Sequence, residues 1–284
     1  MALNNLLVLT RNLNKDFTKK LNQARKNLEK RLFIMDPSEF SLPIENFLKS
    51  SNSELPRPDD TVIWNRVSGI DYCDYDLLVA KNWQDLGANL VNSIDTQRIY
   101  RDKFCQYLHL KKHQVPTLDS YYLSIENIDM LPKGGPYVAK TLRGAKGRGV
   151  IRLENIQAVT DFLTLTESIN DTRFIIQQYR SFEQEHRYFI FKGEVVGHIE
   201  KTKVPNSWKH GFSVSNWKDG KGANNKVSEL VKKIDSIEKK FFYAVDIIFL
   251  DQMPYVLEVN LCPGVNGLDQ MRDKSVLEDV LMNM

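Results

Sequence analysis

The sequence predicts an α/β lobe built on a parallel sheet, followed by a larger α+β unit. Two observations lead to this prediction. Within the first 100 residues, apolar runs typical of buried strands, Leu6 to Thr10 and Leu32 to Met35, flank a helical pattern from Asp16 to Leu32. After residue 100 strand patterns outnumber helical ones, which is typical of an α+β unit rather than of repeated βαβ units.

The first lobe continues the strand–helix alternation. Thr61 to Trp64 is a third apolar strand pattern, and Asp74 to Leu86 reads as a helix. We therefore predict a small Rossmann-like lobe over residues 1–100. It lacks the G-x-G-x-x-G fingerprint of dinucleotide-binding domains.

The second part contains seven strand patterns and three helical ones. The strands are Tyr137–Lys140, Val150–Leu153, Phe174–Gln178, Tyr188–Phe191, Val195–Ile199, Ala244–Leu250 and Tyr255–Asn260, and the helices are Asp102–Lys112, Ile156–Leu165 and Val227–Lys239. Such interspersed strands and helices predict a mixed sheet unit.

Composition excludes several classes of protein. The 284 residues are 42% hydrophobic and 26% charged, as in a soluble globular protein, and the net charge of +3 is too weak to favour a nucleic-acid or membrane partner. Cys73, Cys105 and Cys262 are scattered and form no C-x-x-C pair, so we expect a reducing compartment. Without a signal sequence or a run of about 18 apolar residues, the expected location is the cytoplasm.

A glycine-rich turn joins two of the predicted strands. Gly144, Gly147 and Gly149 are spaced G-x-x-G-x-G, which is not a P-loop, and a strand rather than a helix follows them. We interpret the segment as a hairpin flap whose backbone can approach phosphate oxygens, with Lys140 supplying positive charge. An ordinary flexible hairpin with a solvated lysine is the alternative.

The last two strands carry polar residues within apolar runs. Strand alternation puts Glu258 and Asn260 on one face, and an odd-length hairpin loop would bring Asp246 to that face opposite one of them. Two carboxylates and an amide oxygen that face each other are ligands suited to Mg²⁺. The alternative is a half-exposed strand face with unrelated polar residues.

Weaker signals lie between these two sites. Gln178 and Tyr179 end a strand, where a free backbone amide and carbonyl could pair with an adenine edge, and Glu185 could accept a ribose hydroxyl.

Taken in order, these segments resemble the ATP-grasp ligases and, within them, the RimK branch. The resemblance covers residues 60 to 265 and rests on the following segments: Lys140 with the glycine flap, Gln178–Tyr179, Asp246 and Glu258–Gly264, with Trp64–Arg66, Arg101–Lys103, Val115–Thr117, Glu194–Val196 and Ile199–Lys201 as further landmarks. It implies a Rossmann-like N-terminal domain (1–100) followed by a two-subdomain ATP-grasp unit, with the flap in 101–180 and the metal site in 181–284.

The resemblance also implies roles for individual residues. Lys103 and Lys140 would bind the triphosphate of ATP, Gln178 and Tyr179 the adenine, and Glu185 the ribose. Asp246, Glu258 and Asn260 would hold Mg²⁺, with two ions expected and Mn²⁺ as a substitute. Arg187 would neutralise the transferring phosphoryl group. No protein nucleophile is required, so His186 and His198 are expected to be structural.

The implied reaction moves the γ-phosphate of ATP to a carboxylate, and an amine then attacks the acylphosphate. The expected function is the addition of an amino acid such as glutamate to a peptide, protein or small-molecule acceptor. One alternative is a ligase that forms internal ester or amide links in a precursor peptide, and another is a non-catalytic ATP-binding regulator. The oligomeric state, including a homo-oligomer, stays open.

Three positions depart from the family pattern. Gln178 stands where glutamate is common, Arg180 replaces an apolar residue, and the loop 201–211 lacks the usual Arg-Ser-Asn triplet, whose arginine Lys209 would replace. Lysine is a point charge rather than a bidentate fork, so the identity of the acceptor stays open. Arg66 and the segment around Trp208 are expected to contact it.

Overall fold

The computed structural model describes most of the chain. The described residues are 3–11, 16–50, 55–68, 74–144, 149–168, 174–182, 184–203, 208, 210–219, 225–269 and 275–284. They form three β-sheets, with helices packed against them.

The N-terminal sheet is parallel and has the strand order β2-β1-β3-β4. The elements of this part are β1 (Asn5–Leu9), α1 (Asp16–Ala24), β2 (Arg31–Met35), α2 (Ile44–Ser50), β3 (Thr61–Asn65), α3 (Tyr75–Asp85), β4 (Asn89–Leu90) and α4 (Ile94–Arg101). The predicted Rossmann-like alternation is confirmed. The predicted first helix, Asp16 to Leu32, was too long, since α1 ends at Ala24 and a short 3₁₀ turn follows. The residue patterns did not predict α2 and α4.

The middle sheet is antiparallel, with the strand order β5-β8-β6-β7. Its part of the chain contains α5 (Lys103–Lys112), β5 (Ser120–Tyr121), β6 (Tyr137–Thr141), β7 (Val150–Leu153), α6 (Ile156–Ser168) and β8 (Phe174–Gln178). The predicted hairpin is confirmed, since Lys140 of β6 pairs with Val150 of β7 across the glycine-rich turn. Asp102 caps α5 by accepting from the amides of Phe104 and Cys105 at 2.9 and 3.0 Å.

The third sheet has five antiparallel strands in the order β11-β10-β9-β12-β13. The C-terminal elements are β9 (Gln184–Phe191), β10 (Glu194–Lys203), β11 (His210–Asp219), α7 (Asn225–Ile237), β12 (Phe242–Leu250), β13 (Met253–Asn260), α8 (Asn266–Asp269) and α9 (Val276–Met282). The predicted loop 201–211 was too long, because β10 runs to Lys203 and β11 begins at His210.

Apolar packing defines two faces of this sheet. On the rear face, buried Tyr188 and Val245 pack with Val227 and Val231 of α7. On the front face, Phe189, Ile199 and Ala244 join a core that includes Leu6 and Val8 of β1, together with residues of α1 and α9. Polar side chains occupy the rest of the front face, and the candidate site lies there. No helix among the described residues has the length and apolar character needed to span a membrane.

Candidate active site

The two acidic residues singled out from the sequence face each other on neighbouring strands. β12 and β13 are joined by a two-residue turn, Asp251–Gln252, in which both residues have positive φ, as a type I′ hairpin requires. Asp246 on β12 lies directly opposite Glu258 on β13. The expected pairing is therefore confirmed, although the loop is even rather than odd in length.

A β-bulge reconciles the even loop with this pairing. The register shifts between Asp246 and Ile247, so that Ile247 pairs with Val256 and Leu257 is the extra residue. In an unbroken ladder Asp246 would face Leu257, and Glu258 would point to the rear face. The bulge thus re-aims Glu258 to the front, a frequent use of bulges beside functional sites.

Asp246 is paired with two cations in this structure. Its carboxylate accepts from Nε and Nη2 of Arg187 at 2.7 and 2.6 Å, and from Nζ of Lys201 at 3.2 Å. Only 4% of the surface of Asp246 is exposed. Burial alone would raise the pKa of this carboxyl group, but the two cations outweigh burial and lower the pKa to about 2. Asp246 is therefore an ionised, buried carboxylate.

The pKa of the Glu258 carboxyl group is shifted in the opposite direction, upward. Its burial raises the pKa of the carboxyl group, and the neighbouring charge of Asp246 adds to the rise, while nearby cations led by Lys103 counteract it. Asn260 faces the same side two residues later, and its Oδ1 accepts from the amide of Cys262 at 2.8 Å. The row thus holds two carboxylates and one amide oxygen.

Two lysines approach this row from the middle part of the chain. Burial lowers the pKa of the Lys140 ammonium group, and the charge of Lys103 lowers it further, whereas Glu258, Glu185 and Asp246 raise it. Lys103 donates from Nζ to the carbonyl of Gly144 at 3.2 Å, and from its backbone amide to Leu142 at 2.9 Å. Both predicted phosphate-binding lysines thus lie at the base of the flap, facing the acidic row.

A third lysine of the site was missed by sequence reasoning. Lys201 contacts both Asp246 and Glu185, the residue expected to bind ribose, and is only 6% exposed. The signal that would have found it is strand alternation, because Lys201 and Ile199 share the front face with Arg187. The prediction treated Lys201 as the start of a loop.

The predicted adenine contacts lie where β8 ends. Gln178 donates from Nε2 to the carbonyl of Gly134 at 2.9 Å, and the backbone amide of Tyr179 donates to Pro136 at 2.8 Å. The amide of Tyr179 is therefore not free to pair with a base, as a free strand end would be. The guanidinium of Arg152 lies 4.6 Å from the centroid of the Tyr179 ring, and the Trp208 ring meets that ring edge-on at 6.2 Å. These contacts form an aromatic and cationic wall, which is suited to a flat base.

Ion pairs connect the flap to the N-terminal lobe, and sequence reasoning did not identify them. Arg143, which precedes the first flap glycine, donates to both carboxylate oxygens of Asp74 at 2.9 Å. Asp74 also accepts from Arg101, which in turn pairs with the fully buried Asp76. This chain of contacts fixes the first part of the flap.

The remaining predicted site residues are only partly described. Gly149 ends the flap with a φ of +69°, and an added Cβ would meet Thr141 at 2.5 Å, so this position requires glycine. Gly144 is described through its carbonyl contact with Lys103. Gly147 and Lys209 lie outside the described residues.

Arg66, expected near an acceptor, is held by the chain itself. Its guanidinium donates to the carbonyls of Leu261 and Pro263 at 3.3 and 2.7 Å, and lies 4.8 Å from the centroid of the Trp64 ring. The contacts order the loop that follows Asn260. A role of Arg66 in acceptor binding stays a prediction.

The donor set fits a magnesium ion. Asp246, Glu258 and Asn260 offer only oxygen atoms on one face, and Mg²⁺ prefers such ligands. Arg187 and Lys201 bring positive charge to Asp246, which is the charge that a bound cation would otherwise supply.

Comparison with solved structures identifies the class. The chain superposes on the RimK domain ATP-grasp protein of Sphaerobacter thermophilus with a TM-score of 0.71 and 17% identity, covering 98% of this chain and 97% of that one. The fold is therefore the ATP-grasp fold.

Sequence comparison identifies the family within this class. The family model described as RimK-like ATP-grasp domain matches residues 101–282. This chain belongs to the RimK-like ATP-grasp family. ATP-grasp ligases in general use ATP and Mg²⁺.

Two curated relatives show how far the similarity extends. A "probable alpha-L-glutamate ligase" of Shewanella pealeana is 23% identical over 69% of this chain and 44% of its own length. A protein of the same name from Pectobacterium carotovorum is 26% identical over 88% of this chain and 84% of its own length. The chain spans less than half the length of the first of these relatives.

Proposed function

We propose that this chain is an ATP-dependent ligase that activates a carboxylate as an acylphosphate and couples it to an amine. The observation that carries the proposal is the acidic row of Asp246 and Glu258, enclosed by buried or partly buried cations. The names of the relatives support the further step, the addition of glutamate or a similar amino acid to a carboxylate-bearing peptide, protein or small molecule.

The charges of the site suit Mg-ATP. Four cations, Arg187, Lys201, Lys140 and Lys103, surround three carboxylates, Asp246, Glu258 and Glu185, which leaves one formal positive charge. With fully ionised ATP the formal sum becomes −1 with one Mg²⁺ and +1 with two, so nearly all of the charge in the site is compensated. Phosphoryl-transfer catalysis acts mainly by offsetting charge on the phosphoryl oxygens.

Each residue then has a defined task. Lys103 and Lys140 hold the triphosphate beneath the flap formed by Gly144, Gly147 and Gly149. Gln178 and Tyr179 bind the adenine beside the wall formed by Arg152 and Trp208, and Glu185 binds the ribose. Asp246, Glu258 and Asn260 would hold two Mg²⁺ ions, for which Mn²⁺ could substitute. The ions would neutralise charge on the phosphates.

Arg187 and Lys201 change partners in this proposal. In the present structure both donate to the carboxylate oxygens of Asp246 that would become metal ligands. When these oxygens become metal ligands, the two side chains turn to the phosphate oxygens, and Arg187 stabilises the group in transfer. Lys209 and Arg66 contact the acceptor. In this proposal residues 1–100 form the N-terminal lobe, 101–180 the flap subdomain and 181–284 the metal subdomain, and the protein acts in the cytoplasm.

Amino-acid-dependent release of phosphate from ATP tests the proposal. The purified chain is incubated with Mg-ATP, single amino acids and a peptide and metabolite extract, and products are read by mass spectrometry. We expect phosphate release that requires both Mg²⁺ and one amino acid, and an acceptor that gains that residue through an amide bond. ATP binding without release under any combination would instead favour a non-catalytic regulator, and a product with an internal link would favour the precursor-peptide alternative.

A further inference from the structure

A second cluster of ligating side chains lies on the rear face of the five-stranded sheet. Because side chains alternate along a strand, His186 on β9 and both His198 and Glu200 on β10 point away from the front face that carries Arg187 and Lys201. Glu200 pairs in register with His186, and His198 with Tyr188. The three residues therefore form a compact group on two adjacent strands.

The geometry of this group is that of convergent ligands. One ring nitrogen from each histidine and one carboxylate oxygen of Glu200 all lie within 4.8 Å of one another, and Nε2 of His198 is 3.8 Å from Oε1 of Glu200. His198 is 3% exposed and Glu200 is 7% exposed. Aromatic rings flank the group, since His198 stacks on Tyr188 at 5.0 Å and Phe249 meets His186 edge-on at 5.3 Å.

We propose that His186, His198 and Glu200 bind one divalent transition-metal ion, with zinc as the ion that fits the donors best. Two imidazoles and one carboxylate are a common zinc ligand set, with bonds of about 2.0–2.2 Å. Ligand atoms around a tetrahedral ion are then about 3.4 Å apart, so side-chain adjustments of about 1 Å complete the site. Imidazole nitrogen disfavours Mg²⁺, so this site and the all-oxygen row on the front face select different ions.

The position of the ion gives it a structural task. His186 stands between Glu185 and Arg187 in sequence, and Glu200 directly precedes Lys201. A metal that ties β9 to β10 on the rear face therefore fixes the register of the strands that present Arg187 and Lys201 on the front face. The ion supports the active site from behind and takes no part in the chemistry.

Cobalt and zinc binding to the full chain tests the site. The protein is stripped of metal with a chelator and titrated with CoCl₂, then with ZnCl₂, in buffer that contains MgCl₂ in excess. We expect one Co²⁺ per chain with visible absorption typical of histidine ligation, displacement by Zn²⁺, and no displacement by Mg²⁺. Glu200→Gln and His186→Gln should each weaken the affinity by at least about 100-fold.

A matched control separates this group from the other histidines. His109 and His113 lie one helical turn apart at the C-terminal end of α5, with ring centroids 5.0 Å apart, and His109 contacts Glu238 at 2.8 Å. His113 is the C-cap residue that follows α5, so the two rings form a second histidine pair against which the assay can be checked. His109→Gln should leave the tight site intact, and if it removes binding while the variants at 186 and 200 retain it, the proposal is wrong.

A measurement on the unaltered chain covers the case in which a variant fails to fold. Long-range nitrogen–proton NMR of the histidine rings should show two rings changing chemical shift on addition of one equivalent of Zn²⁺, with the others unchanged. Absence of tight binding, or shifts confined to His109 and His113, would overturn the proposal and leave an ordinary His–Glu contact in its place.

Discussion

Replacement of Glu258 by glutamine tests whether this residue is a metal ligand or a structural residue, because the two roles predict opposite changes in the free energy of unfolding. In the metal-free protein, burial and the charge of Asp246 raise the pKa of Glu258. A raised pKa means that the ionised form is disfavoured in the fold, so stability is lost as pH rises from the unfolded pKa to the folded one. Glu258→Gln keeps the shape and removes the charge. It should therefore leave the metal-free fold as stable as the wild type, or more stable.

The variant is expected to gain stability in the absence of Mg²⁺ but to lose activity. Like charges directly opposite each other on antiparallel strands cost roughly 0.2–1 kcal/mol, so the free energy of unfolding without Mg²⁺ should rise by up to about 1 kcal/mol in the variant. Loss of a ligand that offsets phosphoryl charge should lower kcat/KM by at least about 100-fold, or about 2.7 kcal/mol of transition-state stabilisation. Added Mg-ATP should stabilise the wild type by about 2.7 kcal/mol at 100 times its Kd, and should stabilise the variant little.

Denaturant unfolding with and without Mg-ATP, and the phosphate-release assay, measure these quantities. Glu229→Gln on the exposed side of α7 removes the same charge far from the site and should change neither activity nor the effect of Mg-ATP. Full activity of Glu258→Gln would refute the metal assignment. A large loss of stability without Mg²⁺ would show that Glu258 supports the fold and that its apparent effect on activity is indirect.

Three further variants follow from the same geometry. Asp246→Asn should also abolish Mg-ATP binding, but should destabilise the metal-free fold by about 3–5 kcal/mol, because it leaves Arg187 and Lys201 without their buried partner. Since the folded pKa of Asp246 is lowered to about 2, denaturant unfolding should show this deficit at neutral pH and a shrinking deficit as pH falls through about 4 toward 2. Gly149→Ala should destabilise the flap by about 1–2 kcal/mol and weaken ATP binding measured by calorimetry, whereas Gly264→Ala, with open space around it, should keep wild-type stability. Arg143→Gln breaks the two hydrogen bonds to Asp74 and should weaken ATP binding through a looser flap, detected as faster amide exchange at Leu142.

Strongly patterned segments of the fold were predictable from the sequence. β7 and β8 match their predicted bounds, and β1, β2 and β3 agree within a residue or two, because each is an apolar run that ends at turn residues. The residue patterns missed the helices α2, α4, α8 and α9 and the strands β4, β5 and β11. The α4 pattern, Ile94–Arg101, is mostly polar and becomes a helix through its Ser93 cap and its packing, which a single short window does not reveal.

The candidate site was predictable where strand alternation determines which face of the sheet a side chain occupies. Asp246 was placed opposite either Glu258 or Asn260, yet the physical route was wrong, since the hairpin loop has two residues and the bulge at Leu257 restores the pairing with Glu258. A bulge leaves no strong mark in the sequence when the extra residue is an ordinary leucine. Strand alternation indicates the face on which Lys201 lies, but it does not report that Lys201 reaches Asp246 two strands away, nor that Asp74 pairs with Arg143.

The ion pairs of Asp246 explain how this buried carboxylate stays ionised beside Glu258. Without a counter-charge, ionised Asp246 beside Glu258 would be strongly disfavoured in a dry site. Arg187 and Lys201 supply that charge, and Arg187 does so with the bidentate fork that suits carboxylate and phosphate alike. In the proposed function, a metal ion held by Asp246 would leave both cations available to the phosphate oxygens of the ligand. Arg187 and Lys201 would then serve both the stability of the fold and phosphoryl transfer, so replacing either should lower both the free energy of unfolding and the activity.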